Sequence, residues 1–155
     1  MKKIILDLTG PIKDIVINED TKIFGLFLGK YGLTSINKFN ITFAAKEIFL
    51  DLRVKAVMAD NSVFDFSPNL MISGDQIGIQ ANLKINVLNI SQNSTISSTP
   101  AMEIQEPDIK ASHSLAVNTF NNDQLTYLYS RGLDHKQAEE VLINSFIADI
   151  IKEIT

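Results

Sequence analysis

Two histidines, two neighbouring glutamates and a run of serines are the residues whose chemistry could go beyond packing. His113 follows Ala111-Ser112 and has no acidic or thiol neighbour in sequence, so alone it falls short of a metal ligand set and reads as a partly buried, hydrogen-bonded imidazole. His135 stands beside Asp134 at a helix start, without a second histidine four residues on, and is expected to be solvated. Glu103 and Glu106 flank Ile104, but a carboxylate pair acts as acid and base only where a cleft raises one pKa, and no such cleft is legible. The serines between Ser91 and Ser98 lack a nearby base and read as turn and edge-strand residues. Cysteine is absent, which removes thiolate nucleophiles, thiolate metal ligands and disulfides together. No phosphate-binding glycine loop, nucleophile elbow or His-Glu-x-x-His segment occurs. The residues therefore give no support to an enzyme.

The elements that would position these residues change character along the chain. Ile77, Ile79, Ala81, Leu83, Ile85 and Val87 alternate with polar residues, as do Ile48, Leu50, Leu52, Val54 and Ala56. Successive strand side chains point to opposite faces, so both are strands with one buried face. Ser62 to Phe66, Ile12 to Ile17 and Lys22 to Leu28 add further strands between turn signals. Strands at roughly ten-residue intervals suggest a sandwich, a barrel or a solenoid, and no clean internal repeat selects among them. After Asn118 the period becomes helical: Leu125, Leu128 and Tyr129 follow an N-cap at Asn122 or Asp123, and Gly132 ends this short helix. Asp134 and Gln137 form a capping box that opens a second helix running to Ile154. That helix bears Ala138, Val141, Leu142, Phe146, Ile147, Ile150, Ile151 and Ile154, a spread too wide for one narrow stripe. Either the β body and the first helix cover it all, or part of it waits for another protein.

Composition narrows the class. The 155 residues contain 14 Lys+Arg and 18 Asp+Glu, a formal charge of −4, with no basic run. Binding a phosphate backbone needs clustered cations, so no nucleic-acid partner is expected. Asp7 interrupts the first apolar stretch and no apolar run is long enough to span a bilayer, so the expectation is a cytoplasmic protein without a membrane partner.

The carboxy-terminal half resembles the SufB/SufD family of SUF-system iron-sulfur assembly proteins. The residues behind this are Leu88-Asn89-Ile90-Ser91, Pro100-Ala101-Met102-Glu103-Ile104, Asp108-Ile109-Lys110-Ala111-Ser112-His113-Ser114, Gln124-Leu125-Thr126-Tyr127-Leu128 and Ser130-Arg131-Gly132-Leu133. The ordered motifs, four of them within about 35 residues, are more specific than any single one. The resemblance implies a mostly β chain with a helical end: a truncated right-handed parallel β-helix over residues 1–118, followed by a helical hairpin over 119–155. Family chains are far longer, and residues before about 35 could cap the shortened core.

The resemblance also implies a scaffold, not an enzyme. In the family the terminal helices dock a SufC-like ABC ATPase, and the end of the β core pairs two SufB or SufD chains edge to edge. Carried over, Asn122 to Ile154 is the ATPase platform, with Tyr127, Arg131, Gly132, Ala138, Leu142 and Phe146 as partner-binding residues. The β edge would pair with another copy of this chain or with a SufB-like chain. The positions matching the SufB cysteine and glutamate that are implicated in holding the nascent cluster are Ser94 and Ser114, and the family's Cys-Ser-His begins here with Ala111. His113 matches a SufD histidine near the interface, which makes the chain closer to SufD and leaves His113 as the candidate metal ligand. A serine hydroxyl is a hard, weakly acidic donor and a poor substitute for thiolate on iron. A transient iron-sulfur cluster shared with a partner, and none held stably by this chain alone, is the expectation. A family-derived structural or interaction module without any cluster-assembly role is the alternative.

Overall fold

A computed structural model describes residues 1–155. Ten strands precede two helices: β1 (Lys2–Leu6), β2 (Ile15–Ile17), β3 (Thr21–Gly29), β4 (Thr34–Phe43), β5 (Phe49–Met58), β6 (Val63–Ile72), β7 (Ile79–Asn89), β8 (Thr95–Ser97), β9 (Ala101–Ile104) and β10 (Ile109–Asn118), then α1 (Asn122–Ser130) and α2 (His135–Ile154). All strand pairs are parallel. One sheet, A, runs β1-β3-β5-β7-β10, and the other, B, runs β2-β4-β6-β8 with β9 also paired to β6. The chain alternates between the two sheets and climbs one rung per circuit, making a β-solenoid of about three turns with a two-helix end. Of the architectures compatible with the strand spacing, the solenoid is the one formed.

Its repeat lies in register and in corner geometry, not in residue identity. Thr21 stacks on Leu50, Leu50 on Ala81 and Ala81 on Ala111, steps of 29, 31 and 30 residues. Corners recur at the same intervals. Tyr31-Gly32 and Asp60-Asn61 all have positive φ, from 50° to 72°, and the Gly32 N–H donates to the Asp60 carbonyl on the next turn at 2.8 Å. Such backbone suits glycine and asparagine far better than β-branched residues, so the corners draw from a short list of residue types.

The core fills the space between the sheets. In sheet A the inward column Ile23–Leu52–Leu83 is buried at every level, and in sheet B Ile41 stacks on Leu70. Each fully buried aliphatic side chain contributes about 1.5–3 kcal/mol relative to exposure. Phe27 of sheet A reaches across to Phe64 at 5.7 Å between ring centroids, and Phe66 continues the stack at 6.1 Å from Phe64. Two buried polar side chains are paired: Asn37 donates to Ser35 Oγ at 3.2 Å and accepts from the Ile12 N–H at 2.9 Å. That satisfies groups whose burial would otherwise cost stability.

The first residues are more than a cap. Lys2–Leu6 and Thr21–Gly29 are rungs of sheet A, and it is the loop between β1 and β2 that covers the end of the core. Leu8 of that loop is 1% exposed and fills the space that a Cβ on Gly25 would need, at 3.1 Å. An apolar solenoid end cannot face water without cost, and Leu8, with half-buried Ile12, covers this one.

At Gly29 a Cβ would lie 2.6 Å from Ser62 Oγ, 2.8 Å from Ser62 Cβ and 2.9 Å from Phe27 Cε1. Gly29→Ala is therefore expected to destabilise the chain by about 1–3 kcal/mol through overpacking. Urea denaturation measures this, and an unchanged midpoint would show that the corner has slack the geometry denies it.

Candidate functional site

β10 is the last rung of sheet A and has a neighbour on one side only, β7. Its inward row is Ile109, Ala111, His113, Leu115 and Val117, which register on Ile79, Ala81, Leu83, Ile85 and Val87 of β7. Those β7 residues are buried, whereas Leu115 is 41% and Val117 50% exposed. The difference arises because sheet B has no full strand at this level, only β8 and β9 of three and four residues on the rung below. The period-two pattern thus continues into a row that this chain leaves uncovered, beside a free strand edge.

His113 belongs to that row, directly over Leu83, and is exposed. The expectation of a partly buried, hydrogen-bonded imidazole is corrected: it has no side-chain hydrogen bond within the chain, because the rung that would cover it is missing. No group of three or more histidine, aspartate or glutamate side chains gathers around it or elsewhere. Ser114, next along, points to the opposite face of sheet A, and Ser94 lies at the corner before β8, its hydroxyl 3.4 Å from that of Ser62. The fold does not bring Ser94, Ser114 and His113 together. Glu103 accepts from Asn69 Nδ2 at 2.9 Å, at the end of an outward asparagine ladder in which Asn69 also donates to Asn40 at 3.2 Å.

The hairpin is built much as its caps predict. Asp134 and Gln137 form the full capping box of α2, while the N-cap of α1 is Asn121 and neither Asn122 nor Asp123 as expected, because its side chain accepts from the Asp123 N–H at 2.8 Å. Gly132 takes φ 89° between the helices. His135 is an exposed staple: Nδ1 shares a 2.7 Å hydrogen bond with the Tyr129 hydroxyl, and Nε2 lies 3.2 Å from Glu139.

α2 lies across the outer face of sheet A. Ile147 and Ile150 join Phe24, Val57 and Leu88 in a second, smaller core, with Phe146, Ile151 and Ile154 packed at its margin. Of the apolar residues on α2 singled out from the sequence, Val141 alone is exposed, at 44%. The partner-binding assignment needs correcting at Ala138, which is fully buried and so supports the surface from beneath. Leu142 and Phe146 are half-buried, and Phe146 lies against Lys55 of the β body, 4.7 Å from ring centroid to Nζ. Tyr127, Arg131 and Gly132 are exposed, with the Arg131 guanidinium 5.2 Å from the Tyr127 ring centroid.

Lys55 ties the hairpin to the solenoid. Its Nζ donates to Asp149 and to the Phe146 carbonyl, both at 2.5 Å. The sequence gives no sign of this, since Lys55 reads as an outward strand residue. Partial burial pushes the Asp149 carboxyl up, but the Lys55 hydrogen bond and charge, with the backbone N–H groups of Ile150 and Asp149, hold it below the usual carboxylate range. A depressed carboxylate stabilises the folded arrangement above its unfolded value, near pH 3.9, and that contribution is lost as pH falls through the folded value. No helix is long and apolar enough to cross a membrane.

Similarity to known proteins agrees with this arrangement. The family described as "SUF system FeS cluster assembly, SufBD core domain" matches residues 18–146. The iron-sulfur cluster assembly protein SufD of Escherichia coli is 24% identical over 64% of this chain, and SufD of Bacillus subtilis is 30% identical over 63%. SufB of Bacillus subtilis is 31% identical over 50%. The matches cover 24%, 22% and 17% of those three proteins, so the chain spans a quarter or less of each.

Lys55→Met is expected to speed hydrogen exchange in residues 143–154 while leaving β5 and β7 amides unchanged; equal protection would mean that the apolar contacts suffice. Asp149→Asn is expected to remove an acid transition, below about pH 4, seen in the Ile147 and Ile150 methyl resonances of the unmodified chain. Persistence of that transition in the variant would assign it to another carboxylate.

Proposed function

The chain belongs to the SufBD family of the SUF iron-sulfur cluster assembly system, and from that membership we propose that it is a compact, non-enzymatic scaffold subunit. It pairs through β10 with a second copy or with a SufB-like chain, and its hairpin receives a SufC-like ABC ATPase. The observation behind this reading is the bare last rung, where Leu115 and Val117 continue the core columns yet are 41% and 50% exposed. A strand edge with unpaired N–H and C=O groups beside exposed apolar side chains is suited to strand addition. On the hairpin, Tyr127, Arg131, Gly132 and Val141 offer an exposed aromatic, cationic and aliphatic patch. Aromatic and arginine side chains of this kind commonly anchor interfaces.

The cluster is cargo on this reading. His113 supplies one imidazole at the pairing edge, and the thiolates an iron-sulfur cluster needs come from the partner. A second reading, an interaction module with no part in cluster assembly, draws on Ser94 and Ser114 standing where SufB has the cysteine and glutamate implicated in holding the cluster, and on Ala111 in place of the Cys of the family's Cys-Ser-His.

Co-expression with a SufC-like ATPase and a SufB-like chain separates these readings. Arg131→Glu with Tyr127→Ala is expected to lose the ATPase and keep the SufB-like partner, and Leu115→Lys with Val117→Lys to do the reverse. His113→Ala is expected to keep both partners and to lower bound iron. If the unmodified chain captures neither partner, the scaffold reading fails. If both bind and iron loading ignores His113, the ligand role falls and the module reading gains.

A further inference from the structure

On the outer face of sheet A, between the strands and the last turns of α2, lies a cleft of about 570 Å³ whose lining is mostly polar. That is within the roughly 300–1,000 Å³ typical of small-molecule sites. Its floor is an in-register row, Phe24–Arg53–Lys84–Ser114, crossing β3, β5, β7 and β10. Arg53 and Lys84 are therefore direct cross-strand neighbours on rungs about 4.8 Å apart. Like charges so placed repel and weaken a sheet unless something neutralises them.

The chain supplies only part of that neutralisation. Three carboxylates line the cleft, and each has a cation of its own: Asp51 pairs with Arg53 at 2.8 Å, Asp149 with Lys55 at 2.5 Å, and Glu153 with Lys3 at 3.3 Å. Lys84 has no carboxylate within 4 Å. Ser112 donates to Asn82 Oδ1 at 2.8 Å, which leaves the Asn82 amide N–H groups, the Asn86 amide and the Ser114 hydroxyl free as neutral donors around the lysine. One uncompensated ammonium, an adjacent guanidinium and several free donors line the same concave floor.

We infer that this cleft binds a small molecule through an oxyanion group, phosphate or carboxylate, seated on Lys84, Arg53 and Ser114. The planar guanidinium offers paired N–H donors to two oxygens, the ammonium adds a point charge, and the hydroxyl takes a third oxygen. Arg53 keeps its contact with Asp51 and presents its remaining donors to the ligand. The site lies on the opposite face of β10 from the uncovered inward row, with Asp149, Ile150 and Glu153 of α2 along its rim.

Inorganic phosphate and acetate, each titrated against chloride at constant ionic strength and followed by amide resonances of the full chain, test this. A saturable response at Arg53, Lys84 and Ser114 is expected from one of the two anions, and which one responds identifies the group recognised. Lys84→Gln is expected to weaken it about tenfold or more, the loss of one charge-assisted hydrogen bond. Lys38→Gln, on sheet B, is expected to leave it unchanged, and the same spectra report whether each variant is folded. Linear, unsaturable shifts with both anions, or equal affinity in Lys84→Gln and the unmodified chain, would overturn the inference.

Discussion

Everything in this chain depends on parallel stacking in register. Each rung buries its inward side chains against the same positions one rung away, so no rung is covered on both sides unless it has two neighbours. The interior rungs meet that condition, and Ile23, Leu52 and Leu83 are buried to within a few per cent. The two ends do not, and they are handled differently. At the first, Leu8 plugs the space above Gly25, and the Ile12 N–H is satisfied by Asn37. At the last, the inward row of β10 carries the same apolar alternation with nothing over it. The first end is thus covered by the chain's own loop, and the last is not.

The hairpin adds a second, weaker attachment. A helix on a sheet's outer face must find apolar strand residues pointing outward, and sheet A supplies Phe24, Leu26, Val57 and Leu88 in the region under α2. Beyond that region the outer face is polar, and the helix overhangs it to form the charged cleft. Lys55 sits where the two regimes meet, its ammonium over the Phe146 ring and on Asp149. A cation suits that position, since an aromatic face and a carboxylate both attract it.

Much of this was legible beforehand for identifiable reasons. Alternation at Ile79 to Val87 and at Ile48 to Ala56 marks inward faces because a strand's side-chain period is two, and these residues are buried. The Asp134–Gln137 box marks the start of α2 because both groups satisfy free N–H donors locally. The solenoid repeat was not legible as a repeat. Its steps vary from 29 to 31 residues, and stacked positions hold different residue types, such as Thr21, Leu50, Ala81 and Ala111. The asparagine ladder through Asn40 and Asn69 was hidden for the same reason, since its members are 29 residues apart.

The sequence by itself determined which residues alternate, where the period changes from two to that of a helix, how the helices are capped, and, through its ordered motifs, the family. Those are local properties, written in neighbours a few positions apart. Only the tertiary structure decided that His113 stands on an uncovered rung, that Ala138 turns inward, and that Arg53, Lys84 and Ser114 share one row. Each depends on which strand lies beside which, and residues thirty positions apart become neighbours only when the chain has closed a full turn.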